Sequence, residues 1–119
     1  MPINVLLLEN IHPVATEALE AEGFKVHNEK AALSEEQLDK VLPKYQVLGI
    51  RSKTNLSKGL LSRHPHLQAI GAFCIGTNQV HLAEANKQGI PVFNAPYSNT
   101  RSVAELVIAE MIALSRQLG

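Results

Sequence analysis

Tryptophan is absent from this 119-residue chain, and aromatic residues make up only 4% of it. With so few flat rings, the chain has no platform on which to stack nucleobases or sugars. A single cysteine, Cys74, excludes an internal disulfide and fits a reducing, cytoplasmic compartment. Neither sign of charge is in excess: 11 basic and 11 acidic side chains cancel. That balance provides no electrostatic reason to expect nucleic acid or an anionic membrane as partner. Long hydrophobic runs are missing too. The most apolar stretch, Val103 to Leu114, is interrupted by Glu105 and Glu110 and falls short of the ~20 residues that a bilayer-spanning helix needs. Met1 to Pro13 carries no basic leader and too short an apolar run for a signal peptide. The five histidines are scattered, and His64 and His66 flank Pro65 with no second cluster to complete a tetrahedral metal site. They read as surface-loop residues, and no metal is expected. Walker, H-E-x-x-H and G-x-S-x-G motifs are absent, and Gly71 with Gly76 does not make a G-x-G-x-x-G.

What is present is the composition of an ordinary globular domain, 45% hydrophobic and 18% charged. Short apolar runs alternate with amphipathic segments, as in βα units on a parallel sheet. Ile3 to Leu8 is apolar almost throughout, the mark of a strand covered on both faces. Pro13 suits the first turn of a helix that carries Val14, Ala18, Leu19 and Ala21 inward and stops at Gly23. Further strands are expected at Phe24 to His27, Gln46 to Ile50, Leu67 to Phe73 and Pro91 to Phe93. Between them, Ser34-Glu-Glu-Gln37 is a capping-box pattern for a helix that Pro43 closes. Ser57 to His64 and Val80 to Gln88 read as two more helices, the latter closed by Gly89. Five strands alternating with helices predict a flavodoxin-like, Rossmann-like α/β fold with a parallel sheet.

In such a sheet, ligands sit beyond the carboxyl ends of the strands. Arg51 follows the third strand directly, so its guanidinium starts from rigid backbone and can fork onto a carboxylate or phosphate. Lys53 adds a second positive charge, and Ser52 and Thr54 add hydroxyls; a solvated turn would use the same residues. After the fourth strand, Cys74-Ile-Gly-Thr-Asn78 could present backbone amides to a ligand. Cys74 has no base nearby in sequence and reads as a buried structural thiol. Ser98 to Ser102 precedes the last helix, and Asn99 and Arg101 there either edge an anion site or orient the helix start.

That last helix, from about Ser102 to Gln117, is the oddest element. Ten of the twelve residues from Val103 to Leu114 are apolar, covering most of its circumference. Such a helix needs cover on several sides, so another domain or subunit is expected against it.

Two long runs carry a resemblance: Phe73-Cys-Ile-Gly-Thr-Asn-Gln-Val80 and Val92-Phe-Asn-Ala-Pro-Tyr-Ser-Asn-Thr-Arg-Ser-Val-Ala-Glu-Leu-Val107. With Ile3-Asn-Val-Leu-Leu-Leu-Glu9 and Gly49-Ile-Arg-Ser-Lys-Thr54, they make the whole chain similar to the NAD-dependent D-2-hydroxyacid dehydrogenases. It is nearest to the branch that oxidises 3-phospho-D-glycerate to 3-phosphohydroxypyruvate in serine biosynthesis. The resemblance implies a substrate-binding part over residues 1–98, with residues 99–119 forming the first helix toward an NAD domain. It further implies that Arg51, Ser52, Lys53 and Asn99 hold a small phosphorylated hydroxy acid, and that Ile75 and Val103 lie near the nicotinamide of NAD. The long helix would join two subunits into a homo-oligomer. No catalytic residue of the family falls within the 119 residues, so the chain alone is expected to be inactive. Lys53 stands where relatives often carry arginine, which keeps the charge and loses the fork. His81 stands where they often carry aspartate, a better helix cap. The alternatives are another D-2-hydroxyacid dehydrogenase or a flavodoxin-like regulatory domain such as a phosphoacceptor. The latter needs strand-end carboxylates for Mg²⁺, and the third strand ends in Arg51 instead.

Overall fold

The computed structural model describes residues 3–74, 77–94 and 113. Five strands form one sheet, all parallel: β1 (Asn4–Leu7), β2 (Lys25–Asn28), β3 (Val47–Ile50), β4 (Ala69–Ala72) and β5 (Val92–Asn94), in the order β2-β1-β3-β4-β5. The connecting helices are α1 (Pro13–Ala21), α2 (Glu35–Val41), α3 (Lys58–Arg63) and α4 (Leu82–Gln88). This is the flavodoxin-like parallel sheet expected from the sequence, and the structure supplies the strand order that the sequence left open. It places the topological switch point between β1 and β3, because the chain leaves β1 for β2 on one side and returns to β3 on the other.

Alternation along the strands divides the core in two. Val5 and Leu7 of β1, with Val47, Ala69 and Phe73, pack with Ala15 and Leu19 of α1. Leu6 and Leu8 point the other way, with Leu48, Ile50 and Ile70, and pack with Leu38, Leu60, Leu61 and Ala85 of α2, α3 and α4. The central strands β1, β3 and β4 are almost wholly buried because helices cover both faces, whereas β2 is a largely exposed edge. Side chains pack directly over Gly49 at the switch point. A Cβ on Gly49 would stand 2.5 Å from Leu7 Cδ2 and 3.0 Å from Phe73 Cε1.

Side-chain caps set the helix starts. Ser34 and Gln37 form the expected capping box on α2, and Ser57 Oγ accepts the Leu60 N–H on α3. His81 does cap α4, its Nδ1 accepting the Glu84 N–H at 3.1 Å, so a ring nitrogen serves where a carboxylate was expected to be better. His12 caps α1 in the same way through Val14 N.

α2 ends at Val41 just ahead of Pro43, as expected, and Pro43 itself sits in a following 3-10 turn, Leu42–Lys44, whose first turn does not need the missing N–H. Several expectations need correction. Ala21 is exposed, and Ala15 takes the inward position on α1. His64 is buried, not a surface-loop residue, because α3 ends by turning it onto Asp39 of α2. The helix expected from about Ser102 lies outside the described residues apart from Ala113, which is helical and exposed.

Candidate functional site

At the carboxyl ends of β1 and β3, two loops meet across the switch point. The chain leaves β1 through two successive non-glycine residues in the left-handed region, Glu9 (φ 65°) and Asn10 (φ 55°). Each such residue costs on the order of 1 kcal/mol. Backbone hydrogen bonds brace this corner on both sides. Leu8 N donates to Gly49 O at 2.9 Å, while Glu9 N and Asn10 N donate to Ala31 O and Glu29 O at 3.3 and 3.1 Å.

The left-handed turn swings the Glu9 carboxylate across to the loop after β3. There Oε2 accepts the N–H of Arg51 at 2.7 Å and of Thr54 at 3.1 Å, and Oε1 accepts the N–H of Lys53 at 2.8 Å. Glu9 is buried, with 7% of its surface exposed. Three amides converging on one carboxylate make an anion-binding nest that the protein fills with its own anion. A ligand anion at this edge therefore has to be recognised by side chains, because these backbone N–H groups are already committed.

The sequence puts Arg51, Ser52 and Lys53 forward for that role. Ser52 and Lys53 are exposed and Arg51 is half-buried. Among the described residues neither the Arg51 guanidinium nor the Lys53 ammonium makes an ion pair. Lys53 also lines an open cleft of about 430 Å³ with Ser34, Glu35, Asn55 and Ser57. Thr54, expected to add a hydroxyl to the edge, does not: it is fully buried, and its Oγ1 has no hydrogen-bond partner among the described residues.

A second tie holds the loop from the β4 side. Gln79 Nε2 donates to Arg51 O at 2.8 Å and to Cys74 Sγ at 3.1 Å. Leu56 and Val80 add a parallel bridge beyond the sheet proper. Cys74 is half-buried rather than fully buried, because it sits at this loop junction. Asn99, Ile75 and Val103, the other expected ligand-side residues, lie outside the described residues. The sequence alone assigned no role to Glu9 or to Gln79. An acidic residue directly after an apolar strand was the available signal for Glu9; Gln79 had none.

A different cluster sits at the C-terminal end of α3. Asp39 of α2 accepts from Arg63 Nε and Nη2 at 3.1 and 2.9 Å and pairs with His64 Nε2 at 2.8 Å. The Arg63 hydrogen bonds, then that of His64, hold the Asp39 carboxyl below its ordinary range. Among the described residues no group of three or more potential metal ligands occurs, and no helix is long and apolar enough to cross a membrane.

An all-parallel sheet of this order defines the class of doubly wound α/β proteins, whose ligands sit beyond the carboxyl ends of the strands at the switch point. Within that class, the model of the D-isomer specific 2-hydroxyacid dehydrogenase catalytic domain matches residues 5–117, and the chain belongs to this family. It is 51% identical over 117 residues to the D-3-phosphoglycerate dehydrogenase of Dictyostelium discoideum, covering 98% of this chain and 29% of that one. It is 50% identical over 115 residues to the D-3-phosphoglycerate dehydrogenase of Escherichia coli K12, covering 96% and 28%. The chain thus spans less than a third of the length of these relatives. Among solved structures, the apo D-lactate dehydrogenase of Escherichia coli shares the fold with a TM-score of 0.69 at 22% identity, covering 98% of this chain and 38% of that one. A 2-hydroxyacid dehydrogenase of Ketogulonicigenium vulgare aligns with a TM-score of 0.60 at 28% identity, covering 99% and 37%.

Proposed function

We propose that this chain supplies the substrate-binding edge of an NAD-dependent dehydrogenase that oxidises 3-phospho-D-glycerate to 3-phosphohydroxypyruvate, the opening step of serine biosynthesis. The observation that carries this reading is a pair of cations, Arg51 and Lys53, without ion-pair partners among the described residues and beside a switch point whose amides are already occupied. A phosphorylated hydroxy acid brings a carboxylate and a phosphate, and two cations with the Ser52 hydroxyl between them match that demand. Arg51 supplies a planar fork for one acid group, and Lys53 supplies a point charge for the other. Asn99 completes the substrate side, with Ile75 and Val103 toward the nicotinamide.

NAD is the hydride acceptor that this chemistry requires. The 119 residues hold no glycine-rich loop to take its pyrophosphate, so the work of this chain is to bind and orient the acid. In the same reading the protein is cytoplasmic and assembles as a homo-oligomer through the apolar helix from about Ser102.

Titration of the isotopically labelled chain with 3-phosphoglycerate tests the reading directly. Saturable shifts should centre on Arg51, Ser52 and Lys53, with glycerate and 2-hydroxyglutarate binding more weakly. Arg51→Ala should weaken the phosphorylated ligand most. Equal binding of all three ligands would instead point to another D-2-hydroxy acid, and shifts elsewhere would remove the site.

A further inference from the structure

The Glu9 carboxylate is a buried negative charge placed at the edge where a negative ligand is expected, an arrangement that is unfavourable unless the charge does something else. Its neighbours show what that is. The carboxylate reaches across from β1 to take three amides from residues 51, 53 and 54, spanning the whole segment that carries Arg51, Ser52 and Lys53. Reaching them requires two successive left-handed residues, a conformation that local energetics disfavour. The charge-assisted bonds more than offset that cost, since each is stronger than a neutral bond. Gln79 takes the Arg51 carbonyl from the other side, so both the N–H and the C=O of Arg51 are held by side chains of neighbouring loops.

We propose that Glu9 is a positioning residue. Acting as an internal anion, it fixes the 51–54 loop so that Arg51, Ser52 and Lys53 present their side chains to the ligand in one geometry. The proposal rests on the substrate reading under Proposed function. Glu9 touches no ligand itself; it occupies the amides that phosphate would otherwise seek and leaves recognition to the flanking cations. A ligand anion cannot use the nest, so affinity depends on Arg51 and Lys53. Without the internal anion, the loop loses its register against β1 and the two cations cease to act together.

The test uses the 119-residue chain and four forms of it: unmodified, Glu9→Gln, Glu9→Asp and Asp39→Asn. Glu9→Gln keeps the shape but sets an amide NH₂ or a neutral oxygen against three donors. Glu9→Asp keeps the charge on a shorter arm, and Asp39→Asn removes a carboxylate bonded to Arg63 and His64 instead of the loop, as a control for general stability. Two readouts are taken well below the melting transition: 3-phosphoglycerate affinity and hydrogen exchange at the amides of residues 51, 53 and 54. Glu9→Gln should weaken binding about tenfold or more and accelerate those three amides by about the same factor. Glu9→Asp should fall between, and Asp39→Asn should leave both readouts within about twofold. If Glu9→Gln does not fold, the intermediate position of Glu9→Asp carries the test. Unmodified affinity and unchanged exchange in Glu9→Gln, or in Glu9→Asp where Gln does not fold, would overturn the positioning role while leaving the substrate reading intact. Failure of the unmodified chain to bind 3-phosphoglycerate would overturn that reading and the proposal with it. Loss of affinity matched by Asp39→Asn would reduce Glu9 to a general stabilising contact and overturn the proposal.

Discussion

Glu9 and Asp39 are both carboxylates held by several hydrogen bonds, and they differ in what holds them. Glu9 is buried and faces backbone N–H groups from a loop 42 or more residues away. Asp39 is partly exposed and faces side chains instead, the half-exposed Arg63 guanidinium and the buried His64 ring. Backbone donors cannot deprotonate, cannot rotate away and are weakly screened when buried, so the first arrangement fixes a loop. The Asp39–Arg63 ion pair is open to solvent, is screened by salt and restrains two flexible side chains at an entropic cost, so it stabilises little. The difference also maps onto the fold. The backbone-bound carboxylate lies at the switch point, where a ligand is expected, and the ion-paired one ties α2 to α3 behind the sheet.

The largest effect should come from removing the buried anion altogether. Glu9→Ala leaves three amides of the 51–54 loop without their acceptor and should cost about 3 kcal/mol or more, by the usual scale for charge-assisted bonds. Urea denaturation of the purified chain measures it. A loss under ~1 kcal/mol would mean that water replaces the carboxylate readily, and the contrast with Asp39 would collapse.

Gly49→Ala asks whether the corner needs the space over a residue that has no side chain. The new methyl would meet Leu7 and Phe73 across β1 and β4. Overpacking of this kind typically costs about 1–3 kcal/mol. If it spreads β1 from β3, amide exchange at residues 51, 53 and 54 should rise together with the loss in stability. A stability loss with those amides still protected would show that Glu9 holds the loop independently of the strand spacing.

Gln79→Ala removes the second tie on Arg51 and should cost about 1 kcal/mol, the net value of a neutral hydrogen bond. Because Glu9 still holds the N–H side, exchange at residues 53 and 54 should change little. Equal loosening of all three amides would mean that Gln79 shares with Glu9 the work of fixing the loop.

Much of the scaffold was legible in the sequence because its signals are local. A short apolar run such as Ile3 to Leu8 fits a buried strand, and Ser34 with Gln37 fits a helix start. The order of βα units then leaves few sheet topologies. Arg51, Ser52 and Lys53 could be placed because a residue directly after a strand has a known direction. Glu9 could not be assigned its role, since that depends on two left-handed residues, a conformation that non-glycine residues rarely announce. Thr54 was misjudged for a related reason: once Glu9 takes its amide, the loop curls inward and buries the hydroxyl. His64 was misjudged because its partner, Asp39, lies 25 residues earlier. Gln79 looks like any polar loop residue. In each case the missing information was a long-range pairing, which composition and spacing do not encode.

The smallest effect should come from Asp39→Asn, and its pH and salt dependence would separate the two carboxylates most sharply. Arg63 and His64 lower the Asp39 carboxyl from the ordinary aspartate value of 3.8, so its ionised form is favoured in the folded chain. A carboxyl with a lowered folded value contributes stability above the unfolded value and loses that contribution as pH falls through the folded one. The unmodified chain should therefore exceed Asp39→Asn at neutral pH by less than Glu9→Ala costs, and the gap should close in acid below about pH 4. Salt near 0.5 M, where the screening length is only about 4 Å, should narrow the same gap at neutral pH. The Glu9→Ala deficit should survive that salt, because its partners are buried backbone dipoles. Thermal melts of the three chains at low and high salt, at pH 7 and pH 3, decide the matter. If Glu9 and Asp39 respond alike, burial and donor type do not distinguish them, and the switch-point carboxylate is no more a built-in anion than the surface ion pair.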